Sequence, residues 1–547
     1  MARSTSAPIT TSNRLMHNTV LNLAAFAVEA VIGFFLISFF LGQLGAERYG
    51  LWVLIGSVFQ YRGVLSLGLN SAVNRYIPVY LAHGDYAGVL KTVSTSFMYL
   101  LAMGIVLGVA SAVIYFNFEQ WFAVEPDLLE TARFLLVIVG VLYSLSFPLQ
   151  IFSATLSGLQ RFDIINIVSL AFLSARTLLL VILLKQGYGL LAMGLLFGGS
   201  EVISCLCQFI YVKKLLPQAT ITLRGFTWKF LWESAAYGTN TLLYATGSLI
   251  LFKAGNILIG IFMDTASISH FSIAVAAIML MSSIVQVFSK AIKPAISDLD
   301  ARNDIVRMKE IALLSQKYSL LIIIPSCFFL VAMGREFLDV WVGAKIQDAS
   351  VLDMMALIMA IMAGAQAVLL SQHSNFVVMV GRGYHKIFGL FTFGSAAIFV
   401  ALAVICLKQF NMGLIAVAWC NFIPIVLVSG IVFPLYFHRR MQIGMIEIMR
   451  RVWVPALWGT LPAVLLIACW KLIAPPQSWP HLAGIVTVAG ALTLLCGYLL
   501  SLAPDEKTRI LSMIRKKNKE SYDNRCFKNY CFRKWKLGDS SSSFVFS

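Results

Sequence analysis

Apolar residues fill this chain in runs of roughly twenty, separated by short polar stretches. A run of about 20 mostly apolar residues is long enough to cross a bilayer as a helix. On that rule the pattern predicts about fourteen spans. They lie near 18–41, 50–70, 93–116, 134–153, 164–184, 189–212, 230–262, 267–289, 311–333, 351–378, 387–407, 413–437, 452–470 and 481–502. The run at 18–41 has no A-x-A-like exit, so it reads as a first membrane helix and not as a cleaved leader. The expected fold class is an all-α integral membrane protein.

Composition agrees. Of 547 residues, 59% are hydrophobic and only 12% are charged, with a mean hydropathy of +0.83. Soluble domains carry about 25% charged residues. The net charge of +17 does not call for a nucleic-acid partner, because its placement follows the loops. Connections after even-numbered spans carry cation clusters such as Lys213, Lys214, Arg224 and Lys229, or Arg439, Arg440, Arg450 and Arg451. Connections after odd-numbered spans carry Glu119, Glu125, Asp127 and Glu130, or Arg335 mixed with Glu336 and Asp339. Lys and Arg gather on the cytoplasmic side of membrane proteins, so both termini are expected there. The stretch after Pro504 is basic ("RKKNKE", "FRKWK"), ends in a Ser run, and is expected to lack a packed fold. It reads as a solvated tail or as one drawn to anionic lipid heads. Cys526 and Cys531 have C-x4-C spacing with no second pair, so neither a metal nor a cofactor is expected.

Two segments recur six spans apart. "NRYIPVYLAHGDYAGVLK" (74–91) follows span two, and "KAIKPAISDLDARNDIVRMK" (290–309) follows span eight. Each has a cation, a proline and an acidic turn leading into the next span. "GLQRFD" (158–163) and "GRGYHK" (381–386) repeat the offset after spans four and ten. An even offset keeps orientation, as in parallel repeats. The expected organisation is two pseudo-symmetric six-helix lobes, 1–215 and 216–440, a terminal helix pair at 441–503, and the basic tail at 504–547.

Charges inside the spans are the candidate chemistry. Arg62, Arg176 and Lys253 fall within spans two, five and seven, and Glu29 and Glu201 within spans one and six. A charge at the bilayer centre costs at least about 2.5–3.5 kcal/mol, so it is expected to face a wet cavity or a partner. Helical spacing puts Arg62 on a face with Ser66 and Asn70, Arg176 with Asn166 and Ser169, and Lys253 with Thr239, Thr246 and Asn256. Glu29 follows Asn18 and Asn22, and Glu201 precedes Gln208. Arg62 could pair with Glu29 or Glu201 as structural glue, and Lys253 could snorkel to an interface. Three cations against two carboxylates leave a surplus that an anionic substrate would balance. Arg62, Arg176 and Lys253 are therefore the expected substrate-binding residues. Glu29 and Glu201 are expected charge partners or ion-coupling groups, and Ser66, Asn70, Asn166 and Asn256 expected polar cavity residues. No H-E-x-x-H, G-x-S-x-G or Walker motif is present, and no catalytic residues are expected.

The runs "LGAERYGLWVLIGS" (44–57), "LGLNSAVNRYIP" (67–78), "SGLQRFDIIN" (157–166), "GNILIGIFMDTASISHFSIA" (255–274), "FLDVWVG" (337–343) and "GRGYHK" come in order along most of the chain. This ordered set resembles the bacterial polysaccharide-biosynthesis (Wzx-type) flippases. They belong to the superfamily that includes multidrug-and-toxin extruders and lipid II flippases. Asn256 stands where that family often has an acidic residue, and Phe271 where it has Tyr. The resemblance implies a flippase of polyprenyl-(pyro)phosphate-linked oligosaccharide in the bacterial inner membrane, working by alternating access for O-antigen or exopolysaccharide synthesis. Its partners would be that lipid-linked substrate, membrane lipids and other polysaccharide-assembly membrane proteins. Two alternatives stay open: a cation-coupled exporter of the multidrug type, and a membrane polysaccharide polymerase or ligase.

Overall fold

A computed structural model describes residues 11–508 except 67, 218–220, 223, 224, 291 and 347. Side chains are described from residue 28, apart from 235–241, 284, 287–290, 293, 294 and 385. The tail from 509, with Cys526 and Cys531, and the side chains of Asn18, Asn22 and Thr239 lie outside the described residues. The helices, in chain order, are α1 (Thr11–Gln60), α2 (Arg62–Leu65), α3 (Leu69–Ala82), α4 (Tyr86–Trp121), α5 (Pro126–Gly158), α6 (Phe162–Lys185) and α7 (Gly189–Leu215). Then come α8 (Trp228–Phe262), α9 (Thr265–Lys290), α10 (Lys293–Ala301), α11 (Ile305–Val342), α12 (Ala349–Ser371), α13 (His373–Gly381) and α14 (His385–Lys408). The last are α15 (Leu414–Ile425), α16 (Phe433–Met441), α17 (Met445–Ile448), α18 (Val454–Ile473) and α19 (Trp479–Cys496).

Among the described residues, thirteen helices are long and apolar enough to cross a membrane. The segment Val28–Leu65 counts once, although it has 38 residues. At 1.5 Å per residue a straight helix of that length would measure about 57 Å, nearly twice a hydrocarbon core of about 30 Å. Gly45 breaks it, with φ 78° and ψ 172°, a backbone region open mainly to glycine. Expected spans one and two are thus joined at this glycine with no loop between them. Side chains such as Ile105, Val109, Phe116, Leu178 and Leu494 stand exposed. Exposed apolar area on this scale marks a surface that meets something other than water, here lipid.

The second expected span needs correction. It does not run to residue 70 as one helix: α1 ends at Gln60, α2 is a single turn, and Gly68 takes a left-handed φ of 71° before α3 begins. Glycines at 63 and 68 weaken the helix by about 1 kcal/mol each. The expected face of Arg62, Ser66 and Asn70 is therefore divided. Ser66 turns back to donate to the Gly63 carbonyl at 2.8 Å, and Asn70 is exposed on α3.

The repeats survive as backbone geometry. After α3, the amides of His83, Gly84 and Asp85 donate to Val79, Leu81 and Tyr80; after α10, Arg302, Asn303 and Asp304 donate to Asp298, Asp300 and Leu299. These are the same helix-ending bonds at the same offsets, with Gly84 and Asn303 both left-handed. Asp85 and Asp304 then cap α4 and α11, accepting from Gly88 at 2.8 Å and Arg307 at 3.1 Å. The turn Leu159–Gln160–Arg161 matches Arg382–Gly383–Tyr384 bond for bond.

Connections that touch share parity. Glu125, after span three, accepts from the Thr265 hydroxyl at 2.6 Å, after span seven. Arg382 and Lys309 bind Asp300 and the Gln442 carbonyl, joining connections ten, eight and twelve. The terminal pair α18–α19 packs on α11 through Met333, Ala463, Ile467, Ile485 and Ala489. Residues of α1 and at the ends of α4 and α5 meet α8, α9 and α11 through Ala123 to the Gly260 carbonyl at 2.8 Å, Glu125 to Thr265, Ser269 to the Ala46 carbonyl, and Trp341 to the Phe34 carbonyl at 3.2 Å. These bonds lie toward the odd-numbered connections and roof that end, while at the other end the Thr222 and Thr227 amides donate to the Ser94 and Thr95 hydroxyls at 3.2 Å and 3.0 Å. At Gly50 a Cβ would sit 1.8 Å from the Thr265 carbonyl oxygen. Gly50→Ala must push α1 off α9. It is expected to lower the melting point in detergent by an amount matching overpacking, about 1–3 kcal/mol.

Candidate functional site

Beneath that roof two chambers meet. The first, about 570 Å³, lies between α1, α8 and α9 and is lined by Glu29, Arg62, Arg176, Lys253, Asn256, Trp52 and Tyr143 among others. The second, about 480 Å³, lies among α5, α6 and α7 and is lined by Gln150, Asn166, Ser169, Glu201, Ser204 and Gln208 among others. Glu29, Leu173 and Arg176 line both, so the two chambers adjoin. All five intramembrane charges singled out by the sequence line these chambers, from helices far apart in the chain. Asn166 and Asn256 line them too. Ser66 and Asn70 are absent from both walls, as expected once the helix breaks below Arg62.

The charges divide into three environments. Arg62 is paired: its Nη2 lies 2.9 Å and 3.0 Å from the two carboxylate oxygens of Glu201. Gln150 donates to the same carboxylate at 3.2 Å. The guanidinium lies 4.0 Å above the Tyr143 ring, a contact that partly replaces water. Its Nη1 is still buried without a partner. Arg176 forms no ion pair among the described residues; it stacks 4.2 Å over Phe197, and its Nε is buried and unpartnered. Lys253 likewise has no ion-pair partner among the described residues and projects into the first chamber. Glu29 is exposed to the shared region.

Of the two partners open to Arg62, the structure holds Glu201. Yet the balance of the walls is unchanged: one neutral pair, two unpaired cations and one unpaired carboxylate. Buried guanidinium nitrogens without acceptors are costly, and a guanidinium presents donors in a fixed fork suited to carboxylate or phosphate. The site can accept an anion. Asn256, which the resemblance places where the family often has an acidic residue, donates to Ser57 Oγ at 3.0 Å and ties α8 to α1.

Sequence reasoning did not find Tyr143, Gln150, Ser200 or Ser204. The Gln in "FPLQIFS" was the available signal, being a lone amide inside an apolar run.

A family model described as "Polysaccharide biosynthesis protein" matches residues 87–351. The uncharacterized membrane protein EpsK of Bacillus subtilis (strain 168) is 20% identical over 504 residues, covering 90% of this chain and 97% of that protein. A Shigella flexneri protein described as an O-antigen transporter is 23% identical over 414 residues, covering 74% of this chain and 94% of its own length. Among solved structures, the lipid II flippase MurJ in an inward closed conformation superposes with a TM-score of 0.67 at 15% identity, covering 88% of this chain and 98% of that one. That last likeness is one of fold.

Proposed function

We propose a function from the premise that this chain belongs to the polysaccharide-biosynthesis flippase family, in the superfamily that also holds multidrug extruders and lipid II flippases. It is a multi-pass membrane transporter and not an enzyme. Its substrate, on this reading, is an oligosaccharide linked to a polyprenyl phosphate or pyrophosphate. The even-numbered connections and both termini face the cytoplasm of a bacterium, and the odd-numbered end faces outward across the inner membrane.

The observation that carries the reading is the positive surplus on the chamber walls, with Arg176 and Lys253 unpaired and Arg62 held by an internal carboxylate. A pyrophosphate and its sugars cannot cross hydrocarbon unaided, because each unsatisfied polar group there costs several kcal/mol. A wet cavity with fixed cations replaces their water while the polyprenyl chain stays in lipid. The anion binds the unpaired Arg176 and Lys253 and competes with Glu201 for Arg62. On release, Glu201 returns to Arg62, so the site resets with Arg176 and Lys253 again the unpaired cations. The outer roof closes the cavity while substrate loads from the cytoplasmic side. The halves 1–215 and 216–440 then rock about the site, with 441–503 carried on α11. Differential affinity between the two states sets how far substrate shifts them.

A drug exporter coupled to cations would want strong carboxylate sites on spans one and seven; span one has Glu29, but span seven has only Glu233 at its cytoplasmic edge, with Lys253 and Asn256 farther in. Deletion of the gene tests the reading. The expected result is accumulation of a complete lipid-linked glycan on the cytoplasmic leaflet. Completed glycan reaching the outer leaflet at the normal rate would overturn it.

A further inference from the structure

The two chambers differ in chemistry, and the second has no role yet. Its wall presents uncharged groups that both donate and accept: Gln150, Ser153, Ser169, Ser200, Ser204 and Gln208. Gln208 is only 4% exposed, and its Oε1 is buried without a partner. An acceptor in that state is costly to fold around unless something donates to it. The charges on this wall are Glu29 and Glu201 against the single cation Arg176. A second phosphate would therefore be repelled. A polyprenyl chain would leave the amides and hydroxyls unsatisfied. A neutral, hydroxyl-rich ligand fits, since each sugar hydroxyl can donate to a Gln oxygen or a carboxylate and accept from a Ser or a Gln amide.

We infer that the chamber among α5, α6 and α7 is a carbohydrate subsite, filled by the sugar of the lipid-linked substrate while its phosphates sit in the first chamber. This rests on the transport reading above. Its volume lies within the range of about 300–1,000 Å³ typical of small-ligand pockets. Glu201 stands on the boundary: it lines the second chamber, and its partner Arg62 lines the first. When a phosphate takes Arg62, the freed carboxylate and the Gln150 amide beside it become sugar ligands. Substrate bearing both groups gains from both chambers, whereas a bare prenyl pyrophosphate gains from one. The subsite thus favours glycosylated carriers over unloaded ones.

Calorimetric titration of the full chain in lipid nanodiscs tests this with three probes. They are geranyl pyrophosphate and the same carrier bearing either one hexose or one N-acetylhexosamine. The wild type is expected to bind at least one sugar-bearing probe about tenfold or more tighter than the bare carrier. Ser169→Leu on α6 and Ser153→Leu on α5 fill the chamber from helices that carry neither Arg62 nor Glu201. Each is expected to erase the gain and keep bare-carrier affinity within about twofold. Binding of the bare carrier with no gain from sugar, or a gain that survives both variants, overturns the subsite and leaves the transport reading standing. So does loss of bare-carrier binding in both variants, since the chambers would then not be separate. A wild type that binds none of the probes overturns the transport reading, and the subsite with it.

Discussion

Arg176→Ala and Lys253→Ala are each expected to cut surface polysaccharide by about ten- to a hundredfold at normal protein levels. The scale is that of a lost hydrogen bond to a charged group, about 1.5–3 kcal/mol. Neither cation has an ion-pair partner among the described residues, so their loss removes attraction for the substrate and strands nothing. Arg62→Ala does more, because Glu201 is left as a second free carboxylate facing the anion. Its defect should be the deepest of the three. Glu201→Gln moves the walls the other way: one more cation is free, anion affinity rises, and release slows. Transport is then expected to fall while binding tightens. The double variant Arg62→Ala/Glu201→Gln restores the original surplus and should recover part of the transport lost in Arg62→Ala. If the pair were structural only, the double variant would recover stability, and transport would track protein level in every variant. Normal surface polysaccharide in all three alanine variants at normal protein level would remove these residues from the transport path.

The spans were legible because bilayer thickness sets a minimum of about 20 mostly apolar residues, and each run comes near or exceeds it. Their joints were less so. Gly45 reverses no pattern of apolar residues, so the missing loop between the first two spans left no trace beyond one glycine. The break below Arg62 was signalled by Gly63 and Gly68, but a helical period drawn through them reads as continuous. The repeated turns were legible as matched segments. That "HGD" and "RND" close their helices with identical bonds depends on Asn303 taking the left-handed conformation that Gly84 takes at its counterpart. At the site, the sequence placed five charges inside the spans, each on a polar stripe, but could not choose between Glu29 and Glu201 as partner of Arg62. That choice is made by α7 packing on α5, which brings Glu201 beside Gln150. Lys317, inside the expected ninth span, gave no sign of its role, because its partner lies 189 residues away.

That partner supplies the largest stability effect expected outside the cavity. Lys317 is nearly fully buried on α11, and its ammonium lies 2.8 Å and 2.7 Å from the two carboxylate oxygens of Glu506 and 3.2 Å from the Ser501 carbonyl. Glu506 also accepts from the Ala503 amide at 3.1 Å, so the carboxylate is fixed from both sides. Three acceptors around one ammonium satisfy all its donors. Removing one partner of a buried pair costs about 3–5 kcal/mol, most of it the desolvation of the charge left behind. Glu506→Ala should therefore lower the melting point of the purified protein sharply. It should also loosen α18 and α19 from α11, since Ser501 and Glu506 lie just beyond α19. Lys317→Met combined with Glu506→Gln removes both charges while keeping the volume, and should regain most of the loss, because an apolar side chain can replace a buried ion pair at little cost. Equal melting of Glu506→Ala and wild type would mean that water reaches this pair, and that α11 holds the terminal helices by apolar packing alone.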